Sequence, residues 1–184
     1  MLLTHEREKM INSIIYFAKN TNNCGKTKLF KLLYFLDFEH YKEMGRSVTG
    51  LQYNAWKMGP VPVELENEIE CPDRDVAESI EFKSIKTSKG YPMLLSKPKK
   101  EFDPSHFSKR ELKLLEKLAK QYKTQNADDM IEATHLENLP WHRVFHEENR
   151  KYETIPYEYA FRKSEIELMS CVVSENKEII KNYQ

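Results

Sequence analysis

The segment from Thr27 to Met44 constrains the fold more than any other part of the chain. Leu29, Leu32, Leu33 and Leu36 recur at helical spacing and form one stripe, while Phe30, Tyr34, Phe38 and Tyr41 make a second, aromatic side. A helix apolar around so much of its circumference is not stable on a surface and has to be enclosed by other elements. The segment therefore predicts a central helix, N-capped by Thr27 and ended by Gly45, and the rest of the chain must supply its neighbours.

The flanking sequence predicts those neighbours. Met10, Ile11, Ile14, Ile15 and Phe17 or Ala18 lie on one face of a helix that starts after Thr4 and ends in the polar run Asn20 to Gly25. Residues 48–58 read as extended. Gly59-Pro60-Val61-Pro62 predicts a turn, followed by a short helix over VELENEIE from near Pro62. Residues 80–86 and 91–97 predict a β-hairpin about Ser88-Lys89-Gly90, which residues 51–57 would join in one small sheet. After a linker from Lys97 to Pro104, a capping box from Ser108 to Glu111 opens a helix to about Tyr122, and Asn126 caps a shorter one. Pro140 starts another, carrying Trp141, Val144 and Phe145, and a second box from Ser164 to Glu167 opens the last helix. Only five glycines occur, which argues against glycine-rich phosphate loops and turn-dense all-β folds. The expected fold is α-dominant α+β: one helical domain over residues 1–184 with a small antiparallel sheet of two or three strands.

Charge and cysteine usage narrow the function classes. Twenty-nine basic residues balance 29 acidic ones, whereas a dedicated DNA-binding domain carries a positive surplus to meet phosphates. Cys24, Cys71 and Cys171 are far apart and form no CxxC, so neither a zinc knuckle nor a disulfide framework is expected. The charged run in residues 5–9 is unlike a signal peptide, and no apolar stretch approaches the roughly 20 residues that span a bilayer, so a cytoplasmic setting is expected.

No constellation with catalytic chemistry stands out. Gly25-Lys26-Thr27 resembles the end of a P-loop, but Asn20 occupies the position of its first glycine and a helix precedes it. His142 and His146 are four apart, with His135 and Glu147 or Glu148 nearby, yet Arg143 breaks the HExxH order. Cys24 lies in a loop with no identifiable base, and the GxSxG elbow is absent. Lys109, Lys113, Lys117 and Lys120 form a basic stripe, interrupted by Glu111 and Glu116 as on a solvated helix face. The expectation is a protein that is not an enzyme, takes no metal or cofactor, and works by holding another protein. Tyr53, Trp56, Met58, Trp141 and Phe145 are of the size enriched at interface hot spots.

Three segments together resemble the Panacea domain family, the SocA-like antitoxins. Residues 28–38 read KLFKLLYFLDF, matching a K-L-x-K-L-L-Y-F-x-D helix; residues 53–62 read YNAWKMGPVP, matching W-x-x-G-P-V; Thr134-His135-Leu136-Glu137 followed by Pro140-Trp141 matches a late T/S-H motif with its tryptophan. The resemblance spans about residues 10–160. It implies an antitoxin of a bacterial or phage type II toxin–antitoxin system that neutralises a protein toxin, the product of the adjacent gene, by forming a complex. The family also accommodates an adaptor that delivers a bound protein to a protease. A nucleic-acid-binding regulator, supported only by the lysine stripe, is the other alternative. The segment Tyr53, Trp56, Lys57, Met58, Gly59 and Pro60 is expected to present the partner-binding surface. Asp37, a charge on an apolar helix, is expected to form a structural polar cluster with Tyr34 and His135.

Overall fold

The computed structural model describes residues 5–87, 90–136 and 139–161, together with Glu165 and Ser174. Helix α1 (Glu6–Asn20) leads through a short loop into α2 (Lys26–Met44). Every residue from Lys28 to Phe38 is buried, as expected of a central helix. It is enclosed by α1, by the strands β2 (Gly59–Pro62) and β4 (Pro92–Pro98), by α5 (Lys109–Gln121) and α6 (Ala127–His135), and by a 3-10 turn over Tyr157–Ala160. Gly45 ends α2 with φ 66°, in the left-handed region that a side chain disfavours. The N-cap is Gly25, not Thr27, so the helix gains two residues at its start.

Two further corrections concern the strands. The expected turn at Gly59-Pro60-Val61-Pro62 is strand β2, paired antiparallel with β1 (Tyr53–Trp56) through the two-residue loop Lys57-Met58. Prolines are tolerated there because of register. Pro60 and Pro62 lie opposite Ala55 and Tyr53, whose bonding backbone groups point the other way, to residues 152–155. Ala55 donates to Glu153 and accepts from Tyr152, and Tyr53 accepts from Ile155. The second hairpin, β3 (Ile80–Lys86) with β4, forms a separate two-stranded sheet and does not join residues 51–57. The architecture is α-dominant α+β, with two small antiparallel sheets in place of one.

The remaining helices follow their sequence signals. Helix α3 (Val63–Glu70) begins after Pro62, and the short α4 (Arg74–Ser79) leads into β3. Capping boxes open α5 at Ser108 and α6 at Asn126, with the N3 carboxylate reaching back to the cap backbone in both. Pro140 starts α7 (Pro140–His142), which runs directly into a π-helical turn over Arg143–Glu147. The helix expected from Ser164, the cap expected at Thr4 and the hairpin tip at Ser88-Lys89 lie outside the described residues.

Candidate functional site

Burying eleven consecutive residues of α2 takes three charged groups into the interior, and each is handled differently. Lys28 directs its ammonium at three backbone carbonyls, those of Asn22, Lys123 and Gln125, at 2.8–3.1 Å, and so ties the loop before α2 to the loop after α5. Asp37, fully buried, accepts four hydrogen bonds: from the Val48 and Thr49 backbone N–H groups at 2.8 Å, from the Thr49 hydroxyl, and from the Tyr53 hydroxyl at 2.7 Å. Burial pushes its carboxyl up to about 6, against the pull of these donors. The expected cluster of Asp37 with Tyr34 and His135 is therefore replaced: the carboxylate is committed to the segment after α2. Its acceptor positions are filled by donors from Val48, Thr49 and Tyr53, all within the segment after α2.

Lys31 is the exception. Its residue is 1% exposed, and its Nζ donates to the Pro60 carbonyl at 2.9 Å. No carboxylate pairs with it among the described residues, and burial pushes the ammonium down to about 7. Gly59 lies directly against it. A Cβ at that position would stand 2.8 Å from Lys31 Cε and 2.9 Å from both its Nζ and the Thr134 hydroxyl, and the backbone there has φ 96°. Only glycine fits that contact.

The late motif closes the same end of α2. Thr134 is fully buried and donates its hydroxyl to the Ile131 carbonyl. The His135 ring lies flat on Trp141, centroids 3.7 Å apart, and Trp141 stacks in turn on Phe145. Trp141 Nε1 donates to the Trp56 carbonyl at 2.9 Å, which locks α7 to the β1–β2 hairpin. Burial, with the Lys31 charge second, pushes the His135 imidazole down to about 4. The Tyr34 hydroxyl lies against the Trp141 backbone, while His135 Nε2 is buried without a protein hydrogen-bond partner among the described residues. Thus the three motif segments, separate in sequence, meet around Lys31. Lys31 stands inside the sequence motif with no role evident from the pattern; the signal available was a lysine on the apolar side of a central helix.

Exposed apolar side chains flank this cluster. Met58 is 55% exposed at the hairpin tip, Tyr152 60% exposed beside Trp56, and Leu136 61% exposed after His135. The one other exposed large apolar residue among those described is Tyr91, on the β3–β4 hairpin. Of the residues expected to meet a partner, Lys57 and Met58 are exposed and Trp56 is half-buried. Tyr53, Gly59 and Pro60 are buried and shape the hairpin from within. Tyr152, beside Trp56, and Leu136, next to His135, were not anticipated, because nothing in their local sequence announces either position.

The other candidates resolve differently. Cys24 is buried, not in an exposed loop, and burial pushes its thiol up to about 11, far from thiolate reactivity. His142 and His146 have ring centroids 5.1 Å apart, while His135 is taken up by the Trp141 stack. Among the described residues, the one acidic group with ligand atoms close enough to share an ion is Glu68, Asp73 and Asp75. Arg7 already fills it, with bonds to Glu68 and Asp75 at 2.7–2.9 Å. Of the lysine stripe, Lys117 pairs with Glu39 at 2.6 Å. No helix among the described residues is long and apolar enough to cross a membrane.

No curated protein and no solved structure matches the chain. A family model does: the antitoxin SocA-like Panacea domain matches residues 29–142, a narrower span than the sequence resemblance but more than half of the 184 residues. Its limits enclose α2 from the first leucine of the stripe, the β1–β2 hairpin and the Thr134-to-Trp141 segment, the three parts that meet around Lys31, and the chain belongs to the SocA-like Panacea antitoxin domain family.

Proposed function

We infer that this protein is an antitoxin that neutralises a protein toxin by forming a complex with it, without catalysing a reaction, and that the partner docks on the end of the molecule carrying the β1–β2 hairpin. The observation that carries the reading is convergence: the family's match encloses three segments that fold together, and beside them lie three of the exposed large apolar side chains, Met58, Leu136 and Tyr152. Exposed aromatic and methionine side chains over a rigid base are what an interface hot spot requires, since little side-chain order has to be gained on docking. The base is rigid here because Trp141, Gly59 and the 152–155 segment brace the hairpin on three sides.

The toxin is the product of the adjacent gene. Co-expression of that product with this chain tests the reading: growth should be rescued and the two proteins should co-purify. Persistent toxicity with no complex would reject it. Rescue accompanied by faster loss of the partner would instead mark an adaptor that delivers it to a protease.

A further inference from the structure

A left-handed backbone suits glycine and is taken at small cost by asparagine or aspartate. A bulky side chain there crowds the following carbonyl oxygen and persists only where surrounding bonds dictate it. The turn after the π-helical segment holds two non-glycine residues of this kind. Asn149, at φ 51°, is of the tolerant type; Tyr152, at φ 67°, is not. Strand β1 fixes both backbone groups of Tyr152. Its N–H donates to the Ala55 carbonyl at 2.8 Å, and its carbonyl accepts from the Asn54 side-chain amide at 2.9 Å.

The tyrosine ring contributes little to the free fold. It is 60% exposed and not packed on the core, and the one ring it meets among the described residues is Trp56, edge to face with centroids 6.3 Å apart. Trp56 itself does pack on the core. A glycine or asparagine at 152 would keep both backbone bonds without the strain. What the tyrosine adds is therefore useful outside the free molecule: an aromatic ring that stands out of the surface on a pinned base, with little order left to gain on docking. The charge around it is also one-sided. Glu153 is matched by Arg150 at 2.8 Å, and Glu148 by Arg143 and Arg150 at 3.1 Å. Lys57, next to Trp56 in the hairpin loop, and Lys151, next to Tyr152 and over the Phe145 ring, are exposed and make no ion pair among the described residues. The unmatched charge is positive.

We propose that Tyr152 is the anchor of the docking surface, held in a strained backbone conformation so that its ring projects, and that it enters an apolar socket on the partner protein whose rim carries carboxylates facing Lys57 and Lys151. The partner is the toxin, so the proposal rests on the antitoxin reading. It adds to that reading the residue that anchors the complex and the chemistry of the surface that receives it. A structural residue and an anchor differ in a measurable way. Replacing a structural residue lowers stability and binding together, whereas replacing a strained anchor relieves the fold while it damages the complex.

The test measures melting temperature and affinity for the adjacent gene's product in the same variants of the full chain. Tyr152→Gly removes the strain but gives the unfolded chain more freedom, and Tyr152→Asn tolerates the conformation without that offset, so the two are made together. At least one should melt at or above wild type, while both weaken the complex about thirtyfold or more. If both melt more than about 3 °C below wild type, the ring is structural cover for Trp56 and the proposal is overturned. Affinity within about threefold of wild type in both overturns it equally. For the rim, Lys57→Glu and Lys151→Glu should each slow association, and wild-type affinity should fall between about 50 and about 300 mM sodium chloride. Affinity indifferent to both salt and these substitutions overturns the carboxylate rim. A wild-type chain that forms no complex rejects the antitoxin reading and the anchor with it, whereas a wild-type complex that the Tyr152 variants match rejects the anchor alone.

Discussion

Replacing Asp37 separates geometry from charge at the root of the hairpin. In Asp37→Ala, four donors lose their acceptor. The hydroxyls of Thr49 and Tyr53 turn to other partners, but the backbone N–H groups of Val48 and Thr49 cannot turn. At about 1–3 kcal/mol for each stranded buried donor, the loss centres on about 4 kcal/mol. For a chain of this size that lowers Tm by roughly 8–16 °C. Asp37→Asn keeps the shape: its oxygen accepts from the two N–H groups while its NH2 donates to the two hydroxyls, so the cost should be about 1–2 kcal/mol. The pH dependence follows from the raised carboxyl. Its folded value of about 6 exceeds the ordinary 3.8, so the folded state holds this proton more tightly. The group contributes stability fully below pH 4 and loses it as pH rises to 6, by about 3 kcal/mol at 1.36 kcal/mol per pH unit. Asp37→Asn should lack that component. Calorimetric melts of the three proteins at pH 4, 5, 6 and 7 read all of this. An Asp37→Ala protein melting within about 3 °C of wild type, or an Asp37→Asn protein as damaged as Asp37→Ala, would refute the reasoning.

Three other substitutions test the bracing. Gly59→Ala forces a Cβ into Lys31 and Thr134 at φ 96° and should cost about 1–3 kcal/mol by thermal melting; an unchanged Tm would mean the hairpin is not seated as described. Trp141→Phe removes the donor to the Trp56 carbonyl while keeping an aromatic ring on His135, and should cost about 1–3 kcal/mol; amide exchange should quicken in β1 and β2 before it does in α5. Lys28→Met strips one donor from three carbonyls and should loosen the loop before α2, with faster exchange of the Asn22 N–H that bonds Lys123; protection equal to wild type would contradict that role.

How much of this was legible in the sequence depends on the range of the interaction. The central helix was, because the leucine stripe and the aromatic side together leave α2 no solvent face. The capping box at Ser108 and the cap at Asn126 were, because a cap side chain bonding N–H groups two or three residues on is local chemistry. The strand at Gly59 to Pro62 was not. Two prolines argue against a strand unless register places them at the non-bonded positions, and that register is set by residues 152–155, about a hundred residues away. Asp37 stood out as a charge on an apolar helix, but its donors come from Val48, Thr49 and Tyr53, because a backbone turn supplies N–H groups that no side-chain pattern announces. The motif residues of the hairpin divide in the same way: Met58 faces out, whereas Tyr53 and Pro60 hold it from behind.

The central claim is that the hairpin end holds the toxin, and titration calorimetry of surface variants with the adjacent gene's product tests it most directly. Met58→Glu and Tyr152→Glu replace exposed side chains and should leave the melting temperature unchanged; Tyr91→Glu does the same on the other hairpin. The expected result is that the first two weaken the complex by about tenfold or more each while Tyr91→Glu does not. Wild-type affinity in Met58→Glu and Tyr152→Glu, with binding lost in Tyr91→Glu, would place the partner on the β3–β4 hairpin and contradict the account.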